Sequence, residues 1–159
     1  MSKEGNDRRL SRRDLLVAAG TGVLAAAGIG LMPGLAAATE ADVDKLMAEK
    51  IGSVKPKDGK ITLTLPEIAE NGATVPFTVK VDSPMTDKDY VKSVHVFTEG
   101  NPTPGVASYH FTPANGKAEI SSRMRLGSTQ KVRVVAVMSN GDAHMVRQEI
   151  KVTVGGCGG

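Results

Sequence analysis

Tryptophan is absent from the 159 residues, and there are only three phenylalanines and two tyrosines. Any core must therefore be assembled from Val, Ile, Leu, Met and Ala. A single cysteine, Cys157, rules out an intrachain disulfide. The three histidines, His95, His110 and His144, stand 15 and 34 residues apart, which is not a zinc or copper ligand spacing. Met138 and Met145 flank the last turn without improving that pattern. Nothing resembles a phosphate-binding loop or a Ser-His-Asp set. Asp87 and Asp89 fall in a polar loop, where solvated turn residues are the default.

Positive charge is also scarcer than it first looks. The formal net charge is +3, but residues 1–38 hold five Lys/Arg and three Asp/Glu of the 20 and 17 in the chain. That leaves 15 and 14, a net of +1, for residues 39–159. No footprint for nucleic acid or an anionic membrane remains. The basic segment itself has the three parts of an export signal. Arg8, Arg9, Arg12 and Arg13 form a charged start, Leu15 to Leu31 is uncharged, and Ala36-Ala37-Ala38 fits a cleavage site cut after Ala38. Ser11-Arg12-Arg13-Asp14-Leu15-Leu16 resembles a twin-arginine signal, as does the weakly hydrophobic, Gly-rich run. An uncleaved anchor would need about 20 strongly apolar residues, and this run is short and glycine-laden. The expectation is a periplasmic protein with no membrane association after cleavage. Twin-arginine systems move folded cargo, which suits a cofactor or a partner subunit acquired before export.

The remaining 121 residues suffice for one domain. Thr39 is a candidate N-cap for a helix carrying Val43, Leu46, Met47 and Ile51 on one face, with Gly52 as its stop. Residues 53–60 read as a loop. Alternation of period two then marks seven strands, around 61–65, 75–81, 94–96, 106–111, 118–124, 132–138 and 146–154. Asn71-Gly72, Pro102 to Gly105, Asn115-Gly116 and Asn140-Gly141 separate several of them. The last Asn-Gly pair suits a type I′ hairpin. This pattern predicts an all-β fold, an antiparallel sandwich of immunoglobulin-like type, with a short N-terminal helix and a flexible C-terminal arm. Val135 and Val137 oppose Val134 and Ala136, and His95 and Phe97 oppose Val94 and Val96. Two strands are thus apolar on both faces, whereas one-sided sandwich strands are polar outward. A second subunit is the preferred cover for that surplus, with the N-terminal helix as the alternative.

The chain ends Val154-Gly155-Gly156-Cys157-Gly158-Gly159. The last strand should stop near Val154, because Gly155 and Gly156 have no side chains to pack and high backbone entropy. Five residues reach at most about 17 Å, so the thiol can stand roughly 10 Å clear of the domain on a thin, mobile arm. A catalytic cysteine needs a nearby base, cation or helix N-terminus. The nearest ionisable side chain in sequence is Lys151, and the terminal carboxylate disfavours a thiolate. Any chemistry at Cys157 must then come from the site that receives it.

The export signal, the strand-rich domain and the terminal Gly155-Gly156-Cys157-Gly158-Gly159 together resemble the SoxY family of bacterial thiosulfate oxidation. Pro66 to Val79, PEIAENGATVPFTV, resembles that family's early strand region. The resemblance implies that residues 1–38 are the signal, 39–154 a carrier domain and 155–159 a swinging arm. It implies a carrier rather than an enzyme, with Cys157 as the covalent attachment point for sulfur, no catalytic residue, no metal and no cofactor beyond the bound sulfur. The implied partners are a SoxZ-like small β-sandwich subunit in a heterodimer, a c-type cytochrome, a sulfate-releasing hydrolase and a molybdenum–haem sulfur dehydrogenase. A single cysteine suits this role, since a second would discharge a persulfide as a disulfide. Alternatives are a periplasmic metal-binding or structural module, a cysteine used for an intermolecular disulfide, and a carrier using Gly158-Gly159 as a terminal thiocarboxylate. The last belongs to cytosolic β-grasp proteins with a long helix.

Overall fold

The computed structural model describes residues 37–155. The signal motif and the residues Gly156, Cys157, Gly158 and Gly159 lie outside the described residues. The helix forms where the sequence places it: α1 spans Glu40–Ile51. Thr39 Oγ1 accepts from Asp42 N at 3.3 Å, and the Asp42 carboxylate accepts from Thr39 N at 2.8 Å. This reciprocal pair satisfies donors that a helix start would otherwise leave open. Gly52, at φ 70°, ends the helix with its N–H on the Ala48 carbonyl.

Nine strands follow: β1 (Lys57–Asp58), β2 (Ile61–Thr64), β3 (Ile68–Asn71), β4 (Val75–Val81), β5 (Val91–Thr98), β6 (Gly105–His110), β7 (Ala118–Met124), β8 (Gln130–Met138) and β9 (Ala143–Val154). One sheet runs β1-β9-β8-β5-β6, with β3 also paired to β9, and the other runs β2-β4-β7. The all-β sandwich of immunoglobulin-like type is as expected. Two strands were not. β1 and β3 pair with β9 in parallel, one at His144–Met145 and one over Lys151–Val154. β1 is two polar residues and β3 four without apolar alternation, so neither carries a period to read. Their pairing follows from the open edge of β9.

The β8–β9 hairpin forms, but not through a type I′ turn. Asn140 is not at positive φ; Gly141 is, at 89°. Gly141 N donates to Met138 O at 3.1 Å and Met138 N to Asp142 O at 2.8 Å. The Asn140 side-chain oxygen accepts from Asp142 N at 2.9 Å, and of the two residues that a type I′ turn would set at positive φ, the glycine alone is left-handed.

Between the sheets lie Val75, Phe77, Val79, Ile120, Met124, Val94, Val96, Val134, Ala136 and Ile150, all buried. The outer face of the larger sheet corrects the expectation of a covering subunit. Val135 and Phe97 are fully packed there, in one cluster with Val43 and Ala143 and flanked by Leu46, Met47 and Ile51. The helix is therefore the cover, and the doubly apolar strands are simply the middle layer between core and helix. Arg133, 3% exposed, sits on the same face. Its Nη2 lies 2.7 Å from Glu99 Oε1 and its Nη1 pairs with Asp44. Arg147 joins Glu99 Oε2 at 2.5 Å and Glu40 Oε1 at 2.9 Å. These pairs tie the first turns of α1 to β8, β9 and Glu99, the residue after β5.

Two outcomes follow from this docking. Val43→Ala removes two fully buried methyl groups and should cost roughly 2 kcal/mol in urea denaturation, whereas Val54→Ala at an exposed position should stay within about 0.5 kcal/mol. Equal effects would contradict the helix cover. The Glu40 carboxyl is held below its ordinary value of 4.5, first by the hydrogen bond from Arg147 and then by the charges of Arg147 and Arg133. A carboxyl lowered in the folded state gives stability that is present above its unfolded pKa and lost as pH falls through the folded one. The melting temperature should therefore drop as pH falls below about 4.5, and Glu40→Gln should flatten part of that decline. An unchanged slope in the variant would remove the ion pairs from the account.

Candidate functional site

The candidate site is reached along β9. This strand has twelve residues and β8 has nine, and their last paired residues are Gln130 and Ile150. Beyond Ile150 the strand has lost β8 and must find other partners, since unpaired backbone groups are costly when buried. On one side β3 takes over, pairing Ala69 with Val152 and Asn71 with Val154. On the other the Thr129 hydroxyl substitutes for the missing strand: Val152 N donates to Thr129 Oγ1 at 3.0 Å. The Thr153 hydroxyl lies 3.1 Å from the Glu70 carbonyl and 3.3 Å from that of Ala69.

The strand ends at Val154, as its glycine successors suggested. The Val154 carbonyl accepts from Gly72 N at 2.7 Å, and the Gly72 carbonyl accepts from Leu126 N at 2.8 Å. Three segments thus meet at the exit: the β3–β4 turn, the β7–β8 loop and the end of β9. Gly155 has a further reason to be glycine. A Cβ there would lie 2.2 Å from the Gly127 carbonyl oxygen, a backbone atom with no rotamer to give way. Backbone entropy was the reason read from the sequence; close approach is the reason supplied by the fold. Sequence reasoning singled out Gly72 only as a turn residue and passed over Gly127 and Thr129, whose roles depend on where β8 stops.

Of the predicted site residues, only Gly155 is described; Cys157, Gly156, Gly158 and Gly159 lie outside the described residues. Lys151, the nearest ionisable side chain in sequence, points outward on β9 and is exposed. The structure brings two of the three histidines together. His95 is buried, its Nε2 3.0 Å from Ser93 Oγ and its Nδ1 2.8 Å from Ser108 Oγ. His110 meets it edge-on at a centroid distance of 6.2 Å. Burial lowers the His95 pKa first, and the charges of His110 and Lys50 lower it further. Both His95 ring nitrogens are occupied by hydroxyls, so this histidine packs under the end of α1 rather than offering a free ligand atom. His144 is buried elsewhere, opposite Ala136 on β8. Met138 lies in the inter-sheet core and Met145 packs beside α1, on the other face of the sheet. Among the described residues no group of three or more His, Cys, Asp or Glu is placed to hold a metal ion. Asp87 lies in a turn where Thr86 N donates to Asp89 O at 2.9 Å. The described α-helix precedes all the strands and only a 3-10 turn, Pro113–Asn115, lies among them, unlike the long helix of the β-grasp that a thiocarboxylate carrier requires.

Comparison with known proteins now bears on this geometry. A family model described as sulfur oxidation protein SoxY matches residues 47–157, a stretch that ends on the cysteine. The solved structure of the sulfur carrier protein SoxY from Chlorobium limicola f thiosulfatophilum is similar at 36% identity and a TM-score of 0.62, covering 72% of this chain and 98% of that one. Superoxide reductase (neelaredoxin) from Ignicoccus hospitalis is similar at 15% identity and a TM-score of 0.53, over 74% of this chain and 95% of that one. A putative superoxide reductase from Thermotoga maritima gives 19% and 0.52, over 62% and 93%. At such identity these two show the shared sandwich alone. No curated protein sequence matches. With a family model that spans most of the chain and a solved SoxY that is covered almost end to end, the chain belongs to the SoxY family of sulfur oxidation proteins.

Proposed function

We propose that this protein is a periplasmic carrier that holds sulfur intermediates covalently on Cys157 and presents them to successive enzymes of thiosulfate and sulfur oxidation. The observation that carries the reading is the SoxY match, which runs through the sole cysteine. The similar Chlorobium protein is itself titled a sulfur carrier. The exit of β9 supports it too, since the strand continues past its last pairing with β8 and ends at Val154, three residues before Cys157. Residues 1–38 act as a twin-arginine signal cleaved near Ala38, residues 39–154 form the carrier domain, and 155–159 form the arm. Among the described residues no helix is long and apolar enough to cross a membrane.

The chemistry closes as follows. Thiosulfate joins the Cys157 sulfur through its sulfane sulfur, and the thiol proton and two electrons depart, the electrons to a c-type cytochrome. Water then attacks the terminal sulfonate sulfur under a hydrolase. The bond to the sulfane sulfur breaks, sulfate leaves and a cysteine persulfide remains. Where a molybdenum–haem sulfur dehydrogenase is present, the outer sulfur is oxidised to a sulfonate and hydrolysed off as sulfate, which restores the thiol. The carrier contributes tethering: a linked intermediate meets each enzyme at a high effective concentration and is not lost between steps. A SoxZ-like subunit completes the working unit. Its contact need not involve Phe97 and Val135, which α1 already covers.

Intact mass spectrometry of the exported protein after growth on thiosulfate tests this directly. Sulfur and thiosulfonate adducts should be confined to the C-terminal peptide and absent from Cys157→Ser. Adducts that persist in the serine variant, or a native protein that never carries any, would overturn the assignment.

A further inference from the structure

The β7–β8 loop that meets Gly155 is held by two buried side-chain amides that the carrier chemistry does not use. Asn101 is 5% exposed and Gln130 is 7%. Asn101 Nδ2 donates to the Arg125 carbonyl at 2.7 Å, and Asn101 Oδ1 accepts from Gly127 N at 2.9 Å. The same oxygen accepts from Gln130 Nε2 at 2.9 Å, and that nitrogen also donates to the Ser128 carbonyl at 3.2 Å. Gln130 Oε1 accepts from Gly100 N at 2.7 Å. Three backbone groups of a four-residue stretch, Arg125 O, Gly127 N and Ser128 O, are thus fixed by one amide pair. The amide orientations follow from the network, because reversing Asn101 would set its NH₂ against two donors. The pair is packed closely from behind: a Cβ at Gly100 would come 2.9 Å from Gln130 Cβ.

A satisfied buried polar network selects one backbone arrangement, where apolar packing would tolerate several. Here the arrangement selected is that of the atoms touching the end of β9. Gly127 O lies against Gly155, Thr129 holds Val152, and Leu126 bonds the same Gly72 that bonds Val154. Past Ile150 the β8 ladder no longer directs the strand, and this loop takes its place on that side while β3 pairs along the other.

We propose that Asn101 and Gln130 are positioning residues for the sulfur-bearing arm: by fixing Arg125–Ser128 they set the point and direction at which the chain leaves the sandwich at Gly155. Its value to the protein rests on the carrier reading, because only a cysteine presented to other enzymes needs an aimed root. Lever arithmetic shows why aim matters. For a reach of roughly 10 Å, a tilt of about 30° at the root moves the centre of the tip's range by roughly 5 Å, enough to matter at a narrow receiving channel.

Cys157 is the sole cysteine, so one nitroxide reports the tip and a second, introduced by Lys117→Cys on the exposed approach to β7, reports the body. Pulsed electron resonance on the exported protein, with any co-purifying subunit retained, gives the distance distribution between them. Asn101→Ala and Gln130→Ala should each shift or broaden it by roughly 5 Å, while a label pair confined to the body stays fixed. Gly155→Ala approaches from the other side, since its Cβ must push Gly127 away without touching the amides, and it should shift the distribution as well. Urea denaturation of the same variants separates aim from stability: stability lost with an unmoved tip distribution overturns the proposal. The labels need only the free thiols and no carried sulfur intermediate, so failure of the carrier reading would show as missing adducts in mass spectrometry and not in this result.

Discussion

A strand that outlasts its neighbour governs this molecule. β9 continues four residues beyond its last pairing with β8, and those residues must have their backbone groups satisfied by something else. The parallel strand β3, the Thr129 hydroxyl, the Gly72 amide and the β7–β8 loop all meet that demand. The C-terminal cysteine is attached to the outcome. Gly155 thus follows a strand end that is bonded on both sides.

The other half of the design lies on the far face of the same sheet. β5 and β8 are apolar on both sides because they form a middle layer. One side packs on β4 and β7, and the other on α1. The buried Arg133, shared by Glu99 and Asp44 and joined through Glu99 to Arg147, fixes where that helix sits. A buried charge of this kind is weak evidence for stability but specific about geometry. The sheet is thereby closed by α1 over Phe97, Val135 and Ala143.

Much of this could be read from residues alone, for identifiable physical reasons. Thr39 and Gly52 bounded the helix because caps are local chemistry. Val75 to Val81 was legible because burial on one side of a pleated surface imposes a period of two, and Val132 to Met138 because a strand buried on both faces is a valine-rich run. Lys57–Asp58 and Ile68–Asn71 were not, since their strand character is induced by the edge of β9 and leaves no period. Val135 and Val137 showed that a second layer exists but could not name it, because a helix of the same chain and a separate subunit present the same apolar demand. Asn140-Gly141 gave the hairpin and not its turn, since of that pair the glycine alone is left-handed. Gly155 was noticed for its freedom, while its steric need for Gly127 depends on a contact 28 positions away. Asn101 and Gln130 carried no signal, because two amides in loop and strand-end positions look like ordinary solvated residues until the fold buries them.

The central claim is that the sulfur travels on the protein. Thiosulfate carrying radiosulfur in its sulfane position, supplied to the exported protein with its oxidising and hydrolysing partners, tests it most directly. The account predicts that this label stays on the C-terminal peptide after sulfate is released and comes off with thiol reductant, while label in the sulfonate position leaves as sulfate. Release of both labels together, with the peptide unlabelled throughout, would contradict it.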